Sequence, residues 1–70
     1  MAFVIDLFHQ VVYEYDRHTV VADYTDQWPQ YNVYDPKGRW IGCTNAVCEA
    51  SWKANCRQII KHTPIGTNGK

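Results

Sequence analysis

Three thiols and a histidine come nearest to a metal set: Cys43, Cys48, Cys56 and His62. A structural zinc site usually includes a close pair of ligands two to four residues apart, so that one tight turn presents both to the ion. That pair is missing here. Cys48 and Cys56 lie eight positions apart in a segment that reads as helix, about 12 Å along the axis at 1.5 Å per residue. One ion cannot meet both without unwinding the helix, and the same distance forbids a disulfide between them. Three free thiols are expected, at least some acting as small core residues, because free cysteine is often buried. No metal and no cofactor is expected.

Nucleophilic catalysis would need a thiol or hydroxyl beside a base. His9, His18 and His62 are spread along the chain, and no thiol-enzyme signature surrounds any cysteine. Asp23 and Asp26 read as turn and edge residues rather than a hydrolase pair, since Asp favours turns. Gly38 and Gly42 stand apart, so there is no glycine-rich phosphate loop. The chain is not expected to be an enzyme.

The charges are more informative. The formal net charge is zero, yet six of the seven acids fall in residues 1–36 and six of the seven bases in residues 37–70. Neutrality argues against a generally basic nucleic-acid binder but leaves local patches open. Lys53, Arg57 and Lys61 are spaced four and four, which places them along one helix side. With Lys37 and Arg39 they form a candidate patch for nucleic-acid phosphates. The ordinary meaning of such spacing is a solvated helix face.

The acids interleave with aromatics. Ten aromatic residues are more than 70 residues can fully bury, and exposed Tyr and Trp are common interface anchors. Asp23, Tyr24, Asp26, Trp28, Tyr31 and Trp40 are therefore the candidate protein-binding residues.

The elements that must position these groups can be read from turn signals and periodicity. Asp35-Pro36-Lys37-Gly38 has turn chemistry: Pro presets φ, and Gly accepts a left-handed conformation. Its flanks, Tyr31–Tyr34 and Arg39–Gly42, predict a β-hairpin. Residues 45–61 hold no Gly or Pro. Cys48, Trp52, Cys56 and Ile59 recur at helical spacing, with Thr44 or Asn45 as the expected cap. Arg57, Lys61 and His62 near its end suit the helix dipole, and Pro64 and Gly66 stop it.

In the N-terminal third, odd positions from Phe3 to Tyr15 are mostly apolar and alternate with polar even ones, although a helical stripe also fits. Abundant β-branched and aromatic residues favour strand. A turn near Asp16-Arg17-His18 leads to a second strand over Thr19–Tyr24, and the segment around Trp28-Pro29 is a loop. The expected fold is α+β: a small antiparallel β-sheet of three to five strands with one C-terminal α-helix packed on one face. Residues 1–66 form a single domain and residues 67–70 a frayed tail.

No segment approaches the roughly 20 apolar residues of a membrane span. MAFVIDLF carries no basic leader, so no secretory signal is expected. With an odd number of cysteines, this points to a reducing, cytoplasmic location. The profile resembles that of small single-domain phage or mobile-element accessory proteins, a likeness of size and missing motifs. What it implies is an inhibitor or adaptor that occupies a host protein's surface. A non-enzymatic protein-binding module is the expected function, with homodimerisation through an open sheet edge or face as a linked expectation. The alternative is a nucleic-acid-binding domain using Lys37, Arg39, Lys53, Arg57 and Lys61.

Overall fold

The computed structural model describes residues 7–62. The expectations for Phe3–Asp6, for Pro64 and Gly66, and for the tail fall outside the described residues. Within them the chain runs β1 (His9–Tyr15), β2 (His18–Asp23), β3 (Gln30–Tyr34), β4 (Trp40–Thr44) and α1 (Glu49–His62). The strands form one antiparallel meander in the order β1-β2-β3-β4, and α1 packs on one face. This is the α+β arrangement expected from the sequence.

Local chemistry sets each turn. Tyr15 pairs directly with His18, so only Asp16 and Arg17 turn the chain, at φ 51° and 64°. Two left-handed residues make a type I′ turn, whose twist matches the strands it joins. Asp tolerates this region, whereas Arg carries the Cβ penalty. In the β3–β4 turn Gly38 takes the left-handed position at φ 83°. The Gly38 amide donates to the Asp35 carbonyl at 2.8 Å, and the Asp35 amide to the Arg39 carbonyl at 2.8 Å. Asp35, only 5% exposed, organises the turn from inside. Its carboxylate accepts from the Lys37 amide at 2.9 Å, the Arg39 amide at 2.8 Å and the Arg39 Nε at 2.9 Å. Burial pushes the Asp35 carboxyl up, but these hydrogen bonds and the Arg39 charge outweigh it, leaving its pKa below the ordinary value.

The simple alternation expected of β1 does not survive. Val11 pairs with Val21, but Tyr13 pairs with Val20, so the register slips at Val12. A β-bulge puts one extra residue in one strand. It sends Val11 and Tyr13, two positions apart, to opposite faces. Tyr13 joins the helix side, while Val11 stays 40% exposed on the other.

The core lies between sheet and helix. Val20 and Ala22 of β2, Tyr31 and Val33 of β3, and Trp52, Cys56 and Ile60 of α1 are buried together. Trp52 anchors it. Tyr31 stacks on the indole with ring centroids 4.2 Å apart, and Tyr13 meets it edge-on at 5.8 Å. Gly42 allows α1 to approach β4: a Cβ there would stand 3.0 Å from Ile59 Cγ2.

The helix begins four residues later than expected. Thr44 is still paired with Tyr31 in the sheet, and the chain needs residues 45–48 to cross onto the helical layer. Thr44 Oγ1 instead accepts from Asn55 Nδ2 at 2.9 Å, tying β4 to α1. The first helical bond runs from the Trp52 amide to the Cys48 carbonyl at 2.9 Å. Cys48 is thus the cap, and hydrogen bonds to its sulfur from the Ser51 and Ala50 amides and the Ser51 hydroxyl lower its thiol pKa.

Candidate functional site

A meander sends alternate connections to opposite ends. The β1–β2 and β3–β4 turns share one end, and the β2–β3 loop and β4–α1 linker share the other. The helix returns antiparallel to β4, since Asn55 meets Thr44 and Ile59 meets Gly42. Its C-terminal turn therefore comes back to the end that holds the two hairpin turns.

At the loop end, Asp23 closes β2 and starts the β2–β3 loop. Its Oδ1 accepts from the Thr25 amide at 2.9 Å and the Thr25 hydroxyl at 2.7 Å. The His9 Nε2 lies 3.5 Å from its other oxygen. The Thr25 hydrogen bonds, side chain then backbone, hold the Asp23 carboxyl below its usual pKa despite a smaller opposing effect of desolvation. This Asx turn shapes an open concavity of about 360 Å³ lined by Asp23, Thr25, Asp26, Gln27, Trp28, Gln30 and Asn45. Trp28 is 61% exposed at its wall. The arrangement offers carboxylate and amide acceptors beside one apolar ring face.

The structure thus brings Asp23, Asp26 and Trp28 together. Tyr24 is exposed in the same loop, its amide donating to the Phe8 carbonyl at 2.7 Å. Tyr31 does not present itself: it is 7% exposed and spent on the Trp52 stack, because its position in β3 faces the helix. Trp40 is exposed but does not line the concavity, since its backbone pairs with Tyr34 beside the β3–β4 turn. Its Nε1 donates to Asn32 Oδ1 at 3.0 Å, and Gln30 Nε2 donates to the same oxygen at 2.9 Å. The sequence reading missed Thr25, Gln27, Gln30 and Asn45. The Asp-x-Thr spacing was the available signal for the first. The hairpin register, which sets Thr44 against Tyr31, was the signal for Asn45 beside Gln30.

The chain matches no family model, no curated protein and no solved structure.

The five candidate nucleic-acid residues are placed differently. Lys53 is clamped to Glu49 at 2.8 Å and sits 5.0 Å from the Tyr13 ring centroid and 5.8 Å from that of Trp52. Arg57 Nη1 donates to Tyr13 Oη at 3.0 Å. Arg39 is held by Asp35. These three cations serve contacts within the fold. Lys37 is exposed at the β3–β4 turn and Lys61 at the end of α1. Lys61 shares a smaller concavity of about 150 Å³ with Tyr15, Ala54, Arg57 and Gln58.

Cys43 and Cys48 are exposed and Cys56 is buried. The histidines are engaged elsewhere: His9 near Asp23, His62 with Gln58 at 3.1 Å, and His18 with the Asp16 carbonyl at 2.8 Å. A carbonyl only accepts, so His18 Nδ1 carries the proton there, leaving its buried Nε2 without a partner. Among the described residues no three His, Cys, Asp or Glu side chains are grouped to hold a metal ion. No helix among them is long and apolar enough to cross a membrane.

Proposed function

We propose that the protein is a small non-enzymatic binding module that grips a partner protein with its β2–β3 end, acting as an inhibitor or adaptor. The observation that carries this reading is the concavity at that end. It pairs a 61% exposed indole with Asp23 and Asp26, a combination that suits a basic side chain with an apolar stem. An Arg or Lys of the partner would meet a carboxylate for its charge and the Trp28 face for its cation. The three free thiols accord with action in a reducing, cytoplasmic setting.

The nucleic-acid reading has less support. Two of its five cations are already neutralised, Lys53 by Glu49 and Arg39 by Asp35. Tight phosphate binding draws on many uncommitted charges, with affinity falling steeply as salt rises.

Affinity capture with the wild-type chain and the Asp26→Lys/Trp28→Ala variant tests the proposal. A stoichiometric protein partner retained by wild type should be lost by the variant, since truncating an interface anchor costs about 2 kcal/mol or more. Retention of the same partner by the variant, or no stoichiometric partner on the wild-type chain, would overturn it.

A further inference from the structure

Two concavities among the described residues sit at opposite ends and carry opposite charge. β2 spans His18–Asp23, which separates the β1–β2 turn from the β2–β3 loop by about 17 Å at 3.3–3.4 Å per residue. The loop end carries Asp23, Asp26 and Trp28. The turn end carries Arg57 and Lys61 beside Tyr15, which is 43% exposed. Other charges near these ends are largely cancelled where they stand. Glu49 is paired with Lys53, and Asp35 with Arg39. Asp16 and Arg17 are neighbours in one turn, and at the same end Glu14, on the face away from the helix, is matched in charge by the exposed Lys37. The uncancelled remainder is acidic and aromatic at one end and basic at the other.

We infer that the chain associates with itself head to tail, the β2–β3 end of one copy receiving the Arg57–Lys61 end of the next. This rests on the reading of the β2–β3 end as a protein-binding surface and names a second copy as an occupant of it. The chemistry is complementary at each point. Lys61 supplies a mobile ammonium for the Asp26 carboxylate. Arg57, held by Tyr13 Oη, presents a pre-oriented guanidinium edge, and Tyr15 an aromatic face for Trp28. Zero net charge removes the long-range repulsion that would keep copies apart.

A contact between two different surfaces leaves one of each unused on every pair. It therefore grows into chains or closes into rings. The contact draws on one or two charged side chains and one aromatic ring from each copy, far short of the roughly 20–30 residues a side of a standard stable interface. The association is accordingly weak and strongly dependent on salt.

Sedimentation velocity tests this with the full chain, loaded at up to about 1 mM, the scale of a weak complex. In about 10 mM salt, where the screening length is near 30 Å, the weight-average sedimentation coefficient should rise with concentration. In about 0.15 M salt, where that length is near 8 Å, the rise should largely vanish. Asp26→Lys and Lys61→Glu each disable one end of an exposed surface, so each variant alone should remain monomeric. Mixed together they retain one working end apiece, and their two reversed ends again carry opposite charges, so the mixture should regain concentration-dependent association at low salt.

A wild-type chain that stays monomeric at low salt overturns the inference. So does either single variant associating as strongly as wild type, or a mixture that remains monomeric. The partner capture described above separates the two readings. Lys61→Glu keeps the acidic end, so it should still retain a heterologous partner. Capture without self-association removes only the head-to-tail contact, whereas loss of both removes the binding surface itself.

Discussion

Cys56 is fully buried in the middle of α1, packed with Val20, Val33 and Ile60. Burial disfavours its thiolate and pushes the thiol from 9.0 up to about 11, against a smaller opposing pull from the Arg57 charge. The folded chain therefore keeps a proton that the unfolded chain loses from about pH 9 upward. Stability from this group is complete below pH 9 and is lost as pH rises through about 11. At about 1.36 kcal/mol per unit, the loss across that window is roughly 2–3 kcal/mol. A domain of this size holds only about 4–10 kcal/mol in total, so the effect is a large share of its stability.

Urea titrations followed by far-UV circular dichroism at pH 8 and across pH 9–11 measure this directly. Cys56→Ala is the matched control. It should cost about 1–2 kcal/mol at pH 8 through lost packing, then show a much flatter alkaline limb. The buried Tyr31 hydroxyl, also raised by desolvation, titrates in the same direction and remains in both proteins. The difference between them isolates the thiol. In the native state Cys43 and Cys48 should react with a disulfide reagent while Cys56 stays protected. Parallel loss of stability in wild type and Cys56→Ala between pH 9 and 11 would refute the assignment of the alkaline limb to this thiol.

Arg17→Gly should stabilise the chain by about 0.5–1 kcal/mol in thermal or urea unfolding. It relieves the left-handed Cβ penalty of about 1–2 kcal/mol, less the added freedom of the unfolded chain; a destabilised variant would contradict the turn geometry. Asp35→Asn should cost about 1–3 kcal/mol at pH 7 by weakening the hydrogen bonds to Lys37 and Arg39. Because the folded Asp35 pKa lies below its ordinary value, that contribution is present above pH ~4 and disappears as pH falls through the folded value. The wild-type advantage over the variant should shrink on acidification, and an advantage that persists unchanged at pH 2 would count against it.

Much of the fold was legible because its signals are local. Asp35-Pro36-Lys37-Gly38 specifies a turn by φ preference alone, and Trp52 and Cys56 of the expected stripe lie on the buried side of α1, although Ile60 completes that side and Cys48 is exposed. What the sequence concealed depends on pairing across the sheet. The slip at Val12 inverts the face of everything before it, and no residue type announces it. Thr44 has the chemistry of a helix cap, but its pairing with Tyr31 keeps it in β4 and hands the cap to Cys48. Tyr31 illustrates the same limit for the site. As one of ten aromatics it was as plausible an anchor as Trp28, and only the strand register turns it towards Trp52. Asp23, Asp26 and Trp28 could be grouped from sequence because they share one loop, whereas Asn45 reaches them only through the β3–β4 register.

The neutral charge of the chain acquires a spatial meaning in the fold. The acidic first half and the basic second half do not simply become two sides of the molecule. The meander carries Glu14, Asp16 and Asp35 to the end where α1 terminates, and places Glu49 and Lys53 on its opening turns. Several charges then find a local use, in the Asp35 turn, the Glu49–Lys53 clamp and the Arg57–Tyr13 bond. Those uses account for Arg39, Lys53 and Arg57 of the candidate patch and leave Lys37 and Lys61 exposed. They do not account for Asp26 or for an indole left 61% exposed in the β2–β3 loop. Trp28 adds little to the core at that exposure, and the Asx turn that shapes its loop is made by Asp23 and Thr25 without it. A residue of that cost, held beside a carboxylate at the rim of a concavity, is better explained by what it meets outside the fold than by what it supports within it.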